Sequence, residues 1–231
     1  MLHRYVAVRV LAKDKGYEFG VARPEIFKGT SFMELDMGVK PAGIKEHFEE
    51  KKVIENGVDI RSYDPEINFV EDFTSLDGEF QDPRYFEHRL DDIREWLKVE
   101  PLNMPDNVCV INFRGGEYAL YPDLFLTHDY WSDAIEIIQK ECPEAVFEVH
   151  TDDEVLAKQF FPTFKIIHDI GINWRSIRYA KYLILANSSF AILPALLNQD
   201  AKLIVAPRYW ARRNTGVWAL PQNYYKQFTY I

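Results

Sequence analysis

The chain has 231 residues, of which 47% are hydrophobic and 15% aromatic, and its formal net charge at pH 7 is −9. That length and apolar content are sufficient for a large core in one or two compact units. The acidic balance argues against sequence-independent binding to nucleic acid or to an anionic membrane, because both need a basic surface. It does not exclude an anionic small ligand, which a few local donors can hold.

Both cysteines fall within predicted secondary structure. Cys109 lies in an apparent strand and Cys142 at a helix end, so no disulfide framework is predicted and a reducing cytoplasm is the default compartment. No run of about 18 apolar residues occurs, and the amino terminus lacks the pattern of a secretory signal. We therefore expect a cytoplasmic protein, which can still act on a membrane-bound substrate through a partner.

The first half of the chain predicts short elements of both kinds. Apolar residues recur at helical spacing over residues 2–15, and Gly16 is a typical helix stop. Residues 17–21 indicate a strand, and residues 22–40 a loop. The remaining predictions are a short helix at 41–50 and strands at 51–55 and 67–73.

The clearest helix of the first half is predicted over residues 78–101. Asp82 is a typical N-cap, Pro83 suits the first helical position, and Pro101 closes the segment. The predicted apolar face consists of Tyr85, Phe86, Leu90, Ile93 and Leu97.

In the second half, apolar strands and helical segments alternate. The predicted strands are 107–113, 145–151, 164–168, 182–187 and 202–207, and the predicted helices are 128–141, 152–161, 173–180 and 189–199. Such alternation is typical of a parallel sheet covered by helices on both faces. Ligands of these sheets bind outside the carboxyl ends of the strands, so the residues that follow each strand are the candidate site.

Asn187, Ser188 and Ser189 lie between a predicted strand and a predicted helix. One interpretation is that Ser188 or Ser189 only caps the helix. The other is that free amide groups and hydroxyls at this positive helix end bind a phosphate. The pattern leaves both interpretations open.

Asp152 and Asp153 occupy the same kind of position after the strand 145–151. Either carboxylate is a natural helix cap, and the helix dipole favours a negative charge there. The pair could also bind a divalent cation or accept hydrogen bonds from a base or a sugar. No cluster of His and Cys with metal-binding spacing indicates a transition metal.

Arg114 ends the strand 107–113 and is followed by Gly115, Gly116 and Glu117. A surface ion pair between Arg114 and Glu117 is the simplest interpretation, but it leaves the two glycines unexplained. Paired glycines allow a sharp turn or close approach to a ligand, and arginine fits phosphate oxygens with two parallel hydrogen bonds. We therefore predict phosphate recognition at this strand end.

Five segments, in their order along the chain, resemble the bacterial α-1,2-fucosyltransferases and their relatives, which are inverting glycosyltransferases that use GDP-fucose. INFRGGEY with FLTHDYWSDAI is similar to the family's His-x-Arg-Arg-Gly-Asp-Tyr motif and the helix after it. The other similar segments are MLHRYVAVRVLAKDKGYEFGV, GEFQDPRYFEHRLDDIREWL, VHTDDEVLAKQFF and LILANSSFAILPALLNQDAKLIVAPRYW.

The resemblance implies an α/β protein with two Rossmann-like domains that face each other across a cleft, in the GT-B manner. The expected domains are an acceptor-side domain at 1–101, which lacks its first strand and a Gly-x-Gly-Asn loop, and a nucleotide-sugar-binding domain at 102–231. No metal and no other cofactor are implied. The implied partners are a GDP-sugar donor and a glycan acceptor, with peripheral association to membrane glycan machinery and no nucleic acid.

The resemblance also assigns donor-binding residues. Arg114 matches the motif arginine that contacts the donor phosphate, and Asp152 and Asp153 match a paired aspartate on the nucleoside side. The segment from Asn187 through Ser188 and Ser189 to Phe190 matches an Asn-Ser-Thr-Phe segment that gives amide and hydroxyl donors to phosphate.

Three positions depart from the family motif. Asn112 replaces a histidine near the nucleoside, Gly115 replaces the second arginine, and Glu117 replaces the aspartate. A lost phosphate arginine removes a charge-assisted contact worth about 1.5–3 kcal/mol. The resemblance makes fucose the first expectation for the sugar, and these departures leave another GDP- or NDP-sugar open.

The resemblance therefore implies an inverting sugar transfer, most simply of fucose, in the synthesis of a surface polysaccharide or glycan. Arg114 and the helix end at Ser188 would neutralise the diphosphate leaving group. Glu117 or Asp123 would take the proton from the acceptor hydroxyl as the catalytic base, and neither is favoured. The alternatives are a non-catalytic relative that acts as a partner subunit, and a sugar-phosphate isomerase or another small-molecule α/β enzyme.

Overall fold

A computed structural model describes residues 2–55, 58–212, 218–219 and 224–231. The chain forms two compact units, Met1–Val99 and Glu100–Ile231. Parallel strands and helices make up an α/β fold, as predicted. None of the helices in the described ranges is long and apolar enough to cross a membrane.

The second unit is built on a six-stranded parallel sheet with the order β12-β9-β8-β5-β6-β7. Its strands are β5 (Val108–Phe113), β6 (Val146–Thr151), β7 (Lys165–Ile167), β8 (Tyr182–Ile184), β9 (Leu203–Ala206) and β12 (Thr229–Tyr230). Its helices are α3 (His128–Glu141), α4 (Glu154–Phe160), α5 (Ile170–Tyr179) and α6 (Ser189–Leu197). A short antiparallel pair, β10 (Ala211–Arg212) and β11 (Trp218–Ala219), completes its described elements.

Every strand and helix predicted for the second half is present, with ends that differ by a few residues. All six residues of β5 are buried, which is why this strand shows an uninterrupted apolar run in the sequence. Residues on one face of β5 pack against α3 and α4. Helix α5 begins three residues earlier than predicted, because the Asp169 carboxylate accepts a hydrogen bond from the amide of Ile172 at 2.7 Å.

The first unit begins with α1 (Leu2–Lys15), with the bounds that the apolar spacing predicts. Two small sheets follow: β1 (Glu46–Glu49) pairs in parallel with β4 (Thr74–Asp77), and β2 (Lys52–Glu55) pairs antiparallel with β3 (Val58–Arg61). The unit also contains 3-10 helices and α2 (Leu90–Trp96).

Several predictions for the first half are wrong. Residues 41–50 form a loop and β1 rather than a helix, because β1 finds a parallel partner in β4, which the sequence did not indicate. The predicted strand at 67–73 is absent: residues 67–69 end a 3-10 helix over Pro65–Phe69, since Pro65 fixes a helical start that Asp64 caps, and residues 70–73 lie outside any strand. Residues 17–21 contribute only an isolated bridge between Gly20 and Gly38.

The long helix predicted over 78–101 is also wrong. Asp82 does cap a turn that starts with Pro83, since its carboxylate accepts from the amide of Arg84 at 3.0 Å. That turn ends after Tyr85, because Phe86 leaves the helical region with φ −150°. Two 3-10 turns, Pro83–Tyr85 and Glu87–Arg89, and α2 take the place of the predicted helix, so tertiary contacts override the local pattern.

Candidate functional site

The candidate site is the loop that follows β5 at the carboxyl edge of the six-stranded sheet. One guanidinium nitrogen of Arg114 pairs with the Asp152 carboxylate after β6, and the other lies 3.1 Å from Oε1 of Glu117. The amide of Gly115 donates to Oδ1 of Asp152 at 3.0 Å. Asp152 therefore binds both the side chain of Arg114 and the backbone of the same loop, so the ends of β5 and β6 are joined.

The two glycines of the loop are explained by the chain itself. A Cβ added at Gly115 would lie 2.7 Å from Cβ of Asp153. Gly116 has φ +42°, and a Cβ there would lie 2.5 Å from Oδ2 of Asp152. The sequence indicated close approach of a ligand at these glycines, whereas the close neighbours in the structure are the two aspartates.

Gly115→Ala tests this packing. We expect a loss of about 1–3 kcal/mol in the free energy of unfolding, because the new methyl group forces the loop away from Asp153. Urea unfolding followed by circular dichroism measures the loss. Ala119→Ser, at an exposed position of the same loop, is the control and should stay within about 0.5 kcal/mol of the wild type. Equal stability of the two variants would contradict the tight packing.

Asp153 has a structural role that the sequence also allowed. Its Oδ1 accepts from the amide of Leu156 at 3.0 Å and so caps α4. Its own amide donates to Oγ1 of Thr151 at 2.9 Å. In the described part of the chain, no group of three or more His, Cys, Asp or Glu side chains is placed to hold a metal ion.

Tyr118 connects the Arg114 loop to the next strand. The guanidinium carbon of Arg114 lies 5.2 Å from the centre of the Tyr118 ring, a cation–π contact. The Tyr118 hydroxyl donates to the carbonyl oxygen of Asn187 at 3.4 Å, beyond β8. The ends of β6, β5 and β8 thus meet around one arginine. Sequence reasoning gave Tyr118 no role, although this tyrosine ends the INFRGGEY segment that resembles the family motif.

The start of α6 lies directly after Asn187. Ser188 takes the N-cap position, with no capping hydrogen bond from its side chain to the described residues. The helix geometry leaves the amides of Ser189 and Phe190 without intrahelical acceptors. Ser188 is buried, Ser189 is exposed, and Phe190 makes an edge contact with Trp174 at 5.8 Å. This helix start can donate hydrogen bonds to an anion.

Asn187 is held by the loops around it. Its side-chain nitrogen donates to the carbonyl oxygens of Leu124 and Trp210, at 2.9 and 2.5 Å. Asp123, the other predicted catalytic carboxylate, precedes Leu124 in that loop. Arg114 pairs with Asp152 and Glu117, so the base candidate Glu117 lies against the arginine.

A row of buried polar groups lies on the face of the sheet opposite to α3 and α4. Asn112 and His150 are register partners on β5 and β6. Nδ1 of His150 lies 2.9 Å from Oδ1 of Asn173, whose side-chain nitrogen donates to the carbonyl oxygen of Thr151. Burial is the main cause that lowers the pKa of His150 to about 4, so this histidine is neutral at pH 7. Oδ1 of Asn112 is buried and has no hydrogen-bond partner among the described residues.

The comparisons with known proteins add no relative: no family model matches the chain, and no curated protein matches it. What the site can do chemically therefore rests on its own groups. It combines one arginine, carboxylates that can accept protons, and a helix start with free donors. Such a set suits an anionic ligand with hydroxyl groups nearby.

Proposed function

We propose that this chain is a glycosyltransferase of the fucosyltransferase-like type. It would move a sugar, most simply fucose, from a GDP-sugar to a glycan hydroxyl with inversion. The observation that carries the proposal is the position of Arg114 at the end of β5, linked through Tyr118 to the start of α6. A cation and a helix start at neighbouring strand ends are the groups that a diphosphate needs.

Donor binding requires a change of partners at Arg114. Its guanidinium is paired with Asp152 and Glu117, so a diphosphate must replace at least one of these carboxylates. The Arg114 side chain is 30% exposed, which leaves it accessible for this exchange. In the proposed reaction the diphosphate accumulates negative charge as the sugar departs, and Arg114 with the Ser189 and Phe190 amides stabilises that charge.

A carboxylate takes the proton of the acceptor hydroxyl in this proposal. Glu117 is 68% exposed and adjoins Arg114, so release from the ion pair would free it to act as the base. Asp123 stays the second candidate. Asp152, Asn112 and Asp153 would lie on the nucleoside side, where Asp153 is already committed to capping α4.

The finer architecture belongs to the same proposal. We infer an acceptor-side and a donor-side Rossmann-like domain that face each other across a cleft. The transfer would need no metal, and the protein would act in the cytoplasm beside membrane glycan machinery. The second unit provides the support, because its six parallel strands have the architecture that a nucleotide-binding domain of this kind requires.

Thermal unfolding with a panel of nucleotides tests the proposal. The full chain is heated with GDP, GDP-fucose, GDP-mannose, UDP and dTDP-sugars in turn. A ligand at about 100 times its Kd adds roughly 2.7 kcal/mol to the free energy of unfolding. We expect stabilisation by guanosine ligands, followed by release of GDP when a glycan acceptor is added. Stabilisation without transfer to any acceptor would favour the non-catalytic relative. The ion pairs of Arg114 with Asp152 and Glu117 support this alternative. No stabilisation by any nucleotide would contradict the glycosyltransferase and favour a non-catalytic relative that acts as a partner subunit.

A further inference from the structure

A groove of about 640 Å³ lies in the first unit, and its described lining residues include none of the proposed donor site. It is lined by one side of α1, including Val8 and Leu11, by the segment 17–23 and by the first three residues of β4. Exposed apolar side chains line its mouth, among them Ile26, Val39 and Phe73. A large apolar groove in a folded unit marks a binding surface.

One wall of the groove is a backbone edge. Thr74, Ser75 and Leu76 line it consecutively, although side chains in a strand alternate between faces. On the side of β1, the carbonyl groups of Phe73 and Asp77 accept from Lys45 and Glu50. Alternation therefore directs the N–H and C=O groups of Thr74 and Leu76 to the opposite edge. β4 is paired on one side only within the described residues.

The opposite wall is a second backbone edge. Residues 17–23 line the groove consecutively. On the far side of this segment, the amide of Val21 donates to Met37 and the carbonyl of Phe19 accepts from Val39. The N–H and C=O groups of Gly20 consequently point the other way, towards the groove.

The two walls run in the same direction. Arg4, at the start of α1, bonds to Asp77 and Gly78 at the end of β4. Lys15, at the end of α1, bonds to the carbonyl of Asn68 ahead of β4. α1 is therefore antiparallel to β4, and the chain that turns back at Gly16 runs parallel to β4. The groove is a channel between two parallel strand edges, with a helix along it.

The ends of this channel differ in charge. Glu18, Glu71 and Asp72 line the end at which both walls begin, together with Lys40. Arg23 lines the end at which the walls finish, together with Arg4, which is paired with Asp77. A chain that lies parallel to the walls therefore meets acidic groups at its amino end and basic groups at its carboxyl end.

We propose that the groove binds one extended peptide segment of another polypeptide as an added parallel strand between β4 and residues 17–22. Alternate side chains of this peptide are apolar and pack on Val8 and Leu11. A lysine or arginine at its amino end faces Glu71, and an aspartate or glutamate at its carboxyl end faces Arg23. Main-chain hydrogen bonds to Thr74, Leu76 and Gly20 give affinity, and the two end charges set the direction.

The probe is the blocked peptide Lys-Val-Thr-Val-Thr-Val-Glu with a fluorescent label, titrated into the full chain and followed by anisotropy. We expect saturable binding. Amide hydrogen exchange of Thr74, Leu76 and Gly20 should slow by about tenfold or more at saturation. The charge-reversed peptide Glu-Val-Thr-Val-Thr-Val-Lys should bind more weakly, and Lys-Val-Pro-Val-Pro-Val-Glu, which lacks two N–H donors, should not bind.

A charge variant separates the channel from the rest of the surface. Glu71→Lys should weaken binding of the first peptide by about two- to fivefold and tighten that of the reversed peptide. Glu95→Lys, an exposed position on α2, should change neither. Absent binding, equal binding of the two peptides, or binding without slower exchange at the three amides would overturn the proposal. Protection that rises with protein concentration alone would instead assign the edge to a second copy of the chain.

Discussion

Glu50→Ala should lower the free energy of unfolding by about 2–4 kcal/mol. Glu50 is buried at the end of β1, and its Oε2 accepts from the amides of Glu79 and Phe80 at 2.8 and 3.1 Å. Arg61 lies 3.9 Å from the same oxygen. Alanine would remove the acceptor of both amides, and each buried donor left without an acceptor costs about 1–3 kcal/mol.

Two variants serve as controls for Glu50→Ala in urea unfolding at pH 7. Glu50→Gln keeps an oxygen for the two amides and should lose no more than about half as much, because only the charge is removed. Glu49→Ala, at the exposed neighbouring position, should stay within about 0.5 kcal/mol of the wild type. If Glu50→Ala were as stable as Glu49→Ala, the carboxylate would not be what holds the loop at residues 78–80.

Acid should destabilise the second unit through His150. Burial lowers the pKa of this histidine from 6.5 to about 4, an effect that the Asn173 hydrogen bond only partly opposes. The unfolded chain therefore takes up a proton between pH 6.5 and pH 4 that the folded unit rejects. The stabilisation is complete above pH 6.5 and is lost as the pH falls through this window, by about 2 kcal/mol between pH 7.5 and pH 5.

Urea unfolding of the second unit at pH 7.5, 6 and 5 measures this loss. His150→Gln removes the titrating ring, so its stability should change less with pH over the same range. NMR titration of the His150 ring, which reports the folded pKa directly, should place it well below 6.5. A His150 pKa near 6.5 would contradict the burial of a neutral histidine. So would a stability in His150→Gln that depends on pH as strongly as that of the wild type.

The second unit could be predicted from the sequence because its elements are specified locally. β5 and β6 are continuous apolar runs, and Asp153 and Asp169 cap the helices that follow their strands. The parallel sheet then follows from the alternation of strands and helices. The strand ends at Arg114, Asp152 and Asn187 converge as that rule predicts.

The first unit could not be predicted in this way. β1 is stabilised by a partner 28 residues away, and its own sequence, EHFE, lacks an apolar alternation. The helical pattern of residues 78–101 is overridden by Glu50, which takes the amides of Glu79 and Phe80. Both causes are long-range contacts, which no local pattern shows.

The details of the candidate site were also beyond sequence reasoning. The simplest interpretation of Arg114, an ion pair with Glu117, is present in the structure. The second partner, Asp152, lies 38 residues further along the chain. The pair of glycines accommodates Asp152 and Asp153, so its presence can be explained without a ligand.

Calorimetric titration of GDP into the full chain and three variants tests the central claim most directly. We predict that Arg114→Ala weakens GDP binding about tenfold or more, since a charge-assisted contact is lost. Glu117→Gln should bind GDP more tightly than the wild type, because it removes a carboxylate that competes with the diphosphate for Arg114. Arg178→Ala removes an arginine 5.1 Å from the Tyr179 ring and should leave binding unchanged. Equal GDP affinity of Arg114→Ala and the wild type, or no GDP binding by the wild type, would contradict a donor site at Arg114.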